Sequence, residues 1–169
     1  MIGVIREIRL IRVIVLIYLV HLTIQPMALK FIDYGTPEYK QMIDLRMHIL
    51  RAPLGLTFTK EDLEKEKNDM LLGCFDEEKL EGCCLITEVE VGTVKLRQMA
   101  VLDGLQGKGI GRALMNFAEK VARDAGYKKL TMHARKTAIG FYEKLGYNIC
   151  SDEFEEVTVP HFEMEKILR

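Results

Sequence analysis

The chain has 169 residues, 49% of them apolar and 29% charged, enough to bury the core of one domain and too apolar for a disordered segment. With 24 basic and 25 acidic residues its net charge is −1, which supplies no field for gripping nucleic acid and points to a small-molecule partner. The four cysteines, Cys74, Cys83, Cys84 and Cys150, form no C-x-x-C pair, so they read as reduced thiols of a cytoplasmic protein and no metal is expected.

In chain order, the first element does not fit the rest. Ile8 to Ile24 is almost wholly apolar, broken by Arg9, Arg12 and His21, and its uninterrupted run is only Val13 to Val20. A membrane-crossing helix needs about 20 apolar residues, and no A-x-A-like cleavage site follows. Three readings of residues 1–26 stand open. Met27 is the true start, the segment touches a membrane, or it is a β-branched strand or a helix of the domain. Residues 27–169 read as one domain.

Leu29 to Tyr34 predicts a strand. Thr36-Pro37-Glu38 then opens a helix, with Thr as cap and Pro in the first turn, running to about Arg51 with Tyr39, Met42, Ile43, Leu45, Met47 and Leu50 on its apolar side. Thr59-Lys60-Glu61-Asp62 carries the capping-box pattern of a second, exposed helix to about Asp69. Met70–Phe75, Leu80–Val89 and Val94–Val101 predict three strands joined by short polar turns. Gly111 to Ala125 predicts a helix, since Ile110, Leu114, Phe117, Ala118 and Val121 recur every three or four residues. A strand over Lys129–His133, a helix over Thr137–Leu145 and strands over Asn148–Ser151 and His161–Ile167 complete a mixed α/β sheet with helices on its faces.

The most informative stretch is Gln106-Gly107-Lys108-Gly109-Ile110-Gly111, between a strand and a helix. A glycine-rich backbone there sets free amide groups, at the positive end of the helix dipole, against an anion. Two common owners of such a loop fail on residue identity. A nucleotide P-loop ending at Gly107-Lys108 would put Leu102 at its first glycine and Gly109 at its Ser/Thr. A dinucleotide fingerprint would need a small residue where Arg112 or Leu114 stands. A plain turn joining strand to helix remains the alternative.

Gln106, Gly109 and Gly111 do satisfy Q/R-x-x-G-x-G/A, and Phe141-Tyr142-Glu143-Lys144-Leu145-Gly146-Tyr147 follows about 30 residues later. Together these resemble the acyl-CoA loop and the F-Y-x-x-x-G-F/Y signature of the GNAT superfamily of N-acetyltransferases, over roughly residues 27–169. The resemblance implies an acyl-CoA N-acyltransferase fold: a central, mostly antiparallel sheet flanked by helices. It implies acetyl-CoA as cosubstrate, its pyrophosphate at Gln106, Gly107, Lys108, Gly109, Gly111 and Arg112. The pantetheine arm would pair with the backbone at Met99 and Val101, and Tyr142 would be the general acid for the departing thiolate. The acceptor would be a small molecule or an amino group of a larger one.

Several points stay open. The base could be Glu88, Glu90, His133, His161 or a water. Arg135 stands where many family members have Asn, and Arg cannot accept a hydrogen bond. By spacing alone Tyr142 reads as a core aromatic beside Ala138, Phe141 and Leu145. Leu54 to Phe58 is expected at the rim of the acceptor cleft. Dimers are common in the superfamily, and nothing in the sequence decides whether this chain forms a homodimer. A non-catalytic acyl-CoA-binding module and a membrane-associated acyltransferase are the competing functions.

Overall fold

The computed structural model describes residues 27–169, so the three readings of residues 1–26 lie outside the described residues. The strands are β1 (Ala28–Phe31), β2 (Met70–Asp76), β3 (Lys79–Glu90), β4 (Thr93–Val101), β5 (Lys129–Arg135), β6 (Asn148–Ile149), β7 (Phe154–Glu156) and β8 (Val159–Ile167). They form one sheet in the order β1-β2-β3-β4-β5-β8-β6, with β7 also paired to β8. Only β4 and β5 run parallel; every other pair is antiparallel.

The helices are α1 (Pro37–Arg46), α2 (Lys60–Glu64), α3 (Ile110–Asp124) and α4 (Ile139–Glu143). One face of the sheet is covered by α3, whose Leu114, Met115, Ala118, Val121 and Ala122 pack on Leu72, Ile86, Leu96, Leu130 and Met132. The opposite face receives α1, with Tyr39, Met42 and Leu45 against Leu71, Phe75, Leu85 and Ala100. A Cβ at Gly82 would lie 2.7 Å from Ile110 Cγ2, so this bare position on β3 lets the first turn of α3 settle directly on the sheet. Among the described residues no helix is long and apolar enough to cross a membrane.

The predicted element order holds, with three corrections. First, α1 ends at Arg46 rather than Arg51; a wider turn over Met47–Arg51 and a 3-10 turn over Ala52–Leu54 follow. Pro53 explains this, because its ring displaces the carbonyl four residues back and it has no N–H to continue the ladder. Second, α2 has the expected reciprocal cap between Thr59 and Asp62 but tightens to 3-10 geometry over Lys65–Asn68, and Glu66 is buried rather than exposed. Third, β7 was not anticipated. Its hairpin to β8 turns through Val157 (φ 52°) and Thr158 (φ 62°), neither of them a residue that signals a tight turn.

Candidate active site

The site begins where β4 and β5 part. Their parallel pairing lasts four residues, Thr93–Leu96 against Lys129–Met132. Beyond Leu96 strand β4 stays with β3, while β5 follows β8 to the pair Arg135–His161. The opening is a cleft of about 960 Å³, within the usual range for a small-molecule site. Side chains alternate along both strands, so the cleft has two halves. Val94, Leu96, Leu130, Met132 and Ala134 face the α3 core. Lys95, Arg97, His133 and Arg135 therefore face the other way, toward the segment between α1 and α2.

On the α3 side the loop has the form that anion binding requires. Gly107 (φ 81°) and Gly109 (φ 91°) adopt left-handed geometry, which other residues reach only at a cost. Gly109 is the N-cap of α3 and no side chain caps this end, so the amides of the first turn are left for a ligand. Gly111 has a different role from that expected. It is helical, and an added Cβ would sit 3.3 Å from Phe141 Cζ, so its bareness allows the two motifs to meet rather than the loop to curl. Met99, Val101, Gln106, Gly107, Gly109, Gly111 and Arg112 all line the cleft together with Leu105, which was not anticipated; Lys108 is exposed beside it.

Tyr142 is the core aromatic that its spacing suggests, and it also borders the cleft. Its ring is core, 8% exposed, packed edge-on to Phe141 and Tyr147. Its hydroxyl reaches the cleft and donates to Met99 Sδ at 3.5 Å, so it already faces a sulfur acceptor. Burial pushes its pKa up to about 12, with Cys84 adding to the shift, and the hydroxyl stays protonated at neutral pH.

Between the halves, β4 is bulged. Cys83 pairs with Ala100 and Leu85 with Arg97, so Gln98 and Met99 together oppose Cys84, and Gln98 is left-handed at φ 49°. That strained residue is held by a buried bracket. Arg46 Nη1 donates to Gln98 Oε1 at 2.9 Å, and Gln98 Nε2 donates to Glu66 Oε1 at 3.4 Å. Arg46 and Glu66 form a two-pronged ion pair at 2.7 and 2.9 Å, and Tyr39 donates to the same carboxylate at 2.8 Å. Arg46 is 0% and Glu66 1% exposed. An isolated buried ion would be very costly, so this pair exists only because each member is fully satisfied. Sequence reading missed it. The available signal was spacing, since Arg46 follows Tyr39 and Met42 on one helical face.

On the other half, Glu156 Oε2 lies 2.6 Å from His133 Nδ1, and His133 Nε2 lies 2.6 Å from Lys95 Nζ. A carboxylate can only accept, so Nδ1 carries the hydrogen and Nε2 accepts from the lysine. Burial draws the pKa of Lys95 below its ordinary value. Glu156 was not anticipated, because it belongs to the unexpected strand β7. His161 is turned to Val159 O at 2.7 Å and stacked on Phe154. Glu88 and Glu90 are corrected: both stand at the closed end of the β3–β4 hairpin, away from the splay, bonded to Tyr127 and Thr93 respectively. Arg135 lines the cleft, as do Leu54 and Leu56 of the expected rim.

Comparison with known proteins agrees with this architecture. Residues 56–168 match the acetyltransferase (GNAT) domain, and the chain belongs to that family. The Bacillus subtilis uncharacterized N-acetyltransferase YjcF is 32% identical over 107 residues, 63% of this chain and 74% of its own. The uncharacterized protein YyaT of the same bacterium is 35% identical over 74 residues, 44% of this chain, and the match spans only half its length. Among solved structures, an aminoglycoside 6'-N-acetyltransferase complexed with coenzyme A superposes with a TM-score of 0.73 at 18% identity, covering 85% of this chain and 98% of that one. The sheet is the mostly antiparallel, helix-flanked sheet of the GNAT acyl-CoA N-acyltransferase fold.

Proposed function

We propose that the protein transfers an acetyl group from acetyl-CoA to a primary amine of an acceptor, by direct attack in a ternary complex. One observation carries this reading: the same cleft holds an uncapped, glycine-built helix end and a protonated tyrosine hydroxyl aimed at a sulfur. Gln106, Gly107, Gly109, Gly111 and Arg112 would take the pyrophosphate, with Lys108 adding charge from solvent. The unpaired edge of β4 at Met99 and Val101 would take the pantetheine amides. A solved relative of the fold carries coenzyme A, which supports the choice of donor.

In the proposed reaction the amine nitrogen attacks the thioester carbonyl, and a backbone amide near the Met99 bulge receives the developing oxyanion. The carbon–sulfur bond then breaks, and Tyr142 gives a proton to the departing thiolate. The proton lost by the amine goes to His133 Nε2, the accepting ring nitrogen while Glu156 holds Nδ1–H, with the amine displacing Lys95 Nζ from that position. Lys95 Nζ, seated on Nε2, shows how an ammonium group would meet that nitrogen.

Titration calorimetry with acetyl-CoA, followed by thiol release with a panel of amines, tests the proposal. Binding and amine-dependent release are expected. Folded protein that binds no acetyl-CoA overturns it; binding with no release for any amine reduces it to a non-catalytic acyl-CoA module.

A further inference from the structure

Charge in the cleft is distributed against the balance of the chain. The net charge is −1, yet five full cations line the cleft, Arg51, Lys95, Arg97, Arg112 and Arg135, against one carboxylate, Glu156. Arg112 lies in the first turn of α3, beside the donor loop. The other four belong to the opposite half, across the sheet from α3.

Their partners on the protein are poor. Among the described residues Arg135 and Arg51 have no ion pair, and Arg51 only stacks over Phe58 at 4.7 Å. Arg97 is 3.7 Å from Asp69, whose pKa burial raises above the ordinary value, and donates to Thr87 Oγ1 at 3.4 Å. Lys95 bonds directly only to an imidazole nitrogen, an uncharged acceptor, with the Glu163 and Glu156 carboxylates acting on it from farther off. Four like charges around one cleft repel each other and any incoming ammonium group. The neutral pantetheine arm offers them nothing, and the pyrophosphate is claimed on the other face.

We propose that the acceptor is an amine that also carries an anionic oxygen group, held by Arg135 and Arg97, while its amine is presented to His133. This rests on the acetyl-transfer reading above. Two consequences follow from the charges: polyamines are excluded, and the amine is favoured in its neutral, nucleophilic form.

The test uses matched amines: 4-aminobutyrate against butylamine, phosphoethanolamine against ethanolamine, and 1,4-diaminobutane. The carboxylate and phosphate arms identify which anion is read. The anionic member of each pair is expected to have the higher kcat/KM by about ten- to a hundredfold, the worth of one charged hydrogen-bonded contact. Arg135→Gln should erase that preference through KM and leave the acetyl-CoA Kd unchanged. Preference for neutral or dicationic amines overturns the inference alone. So does an Arg135→Gln protein that loses acetyl-CoA affinity and keeps its acceptor preference, since the cation would then serve the donor. Binding of the acetylated products to the CoA-loaded protein, read by NMR line broadening, needs no turnover. Anion-selective product binding without turnover of any amine would sink the transferase reading and leave the inference standing, whereas non-selective binding would sink it.

Discussion

The two halves of the cleft are built by different means. The α3 half relies on backbone: left-handed glycines, an uncapped helix end and the free edge of a splayed strand. Its ligand contacts would be amides, which every residue has, so identity is constrained only where a Cβ would intrude. The opposite half relies on side chains, Lys95, Arg97, His133, Arg135 and Glu156, reaching in from three strands. A backbone site can serve one invariant donor, while a side-chain site is free to be rewritten for each acceptor. Under the proposed function, the difference teaches where a common cosubstrate and a particular substrate would each be encoded.

Several changes would break or sharpen that division. The largest effect is expected from Glu66→Ala, which leaves Arg46 buried and unpaired; urea denaturation should show a loss of about 3–5 kcal/mol. Tyr142→Phe should lower kcat by roughly 10- to 1000-fold with chemistry rate-limiting, and unchanged turnover would remove the hydroxyl from the mechanism. Because burial sets its pKa at about 12, Tyr142 stays protonated over the working range. Any fall in rate between about pH 8 and 10 should therefore persist in Tyr142→Phe, given an ordinary tyrosine value near 10. The same shift has a sign for stability. The folded value lies above the unfolded one, so the contribution is complete below about pH 10 and is lost as pH rises toward 12.

Gly109→Val puts a β-branched residue at φ 91°. It should weaken acetyl-CoA binding by about tenfold or more while the fold survives, the left-handed strain alone being roughly 1–2 kcal/mol. Equal affinity by calorimetry would contradict a backbone-built donor half. Glu156→Gln should lower kcat about tenfold, the scale of a weakened acid–base group, and spare acetyl-CoA affinity. Lys108→Ala, exposed and outside the lining, should change that affinity by less than about threefold.

The same division explains what the sequence discloses. The glycine loop is legible because left-handed backbone favours glycine, and Gly107 and Gly109 stand at such positions between a strand and a helix. The sheet and its main helices follow from hydrophobic period. The opposite half is not legible, since Lys95, His133 and Glu156 come together only through the sheet order and through a hairpin turning at Val157 and Thr158. Arg46 and Glu66 read locally as surface charges on amphipathic helices; only their pairing across 20 residues makes burial tolerable. Gly111, expected in the loop, is helical and lies against Phe141.

The bracket that holds the bulge also divides the chain in a useful way. Arg46 and Glu66 are the two ends of an excursion that supplies Ile49, Leu50, Arg51, Leu54 and Leu56 to the cleft wall. Between those anchors Ile49 and Leu50 pack on the core under α1, and Phe58 stacks on Arg46 at 5.0 Å. The stretch from Met47 to Lys65 is thus tied at both ends and at these three side chains, while Arg51, Leu54 and Leu56 are left to shape the cleft wall. Under the proposed function, changes at Arg51, Leu54 and Leu56 would redirect the choice of acceptor while leaving the α3 half of the cleft in place.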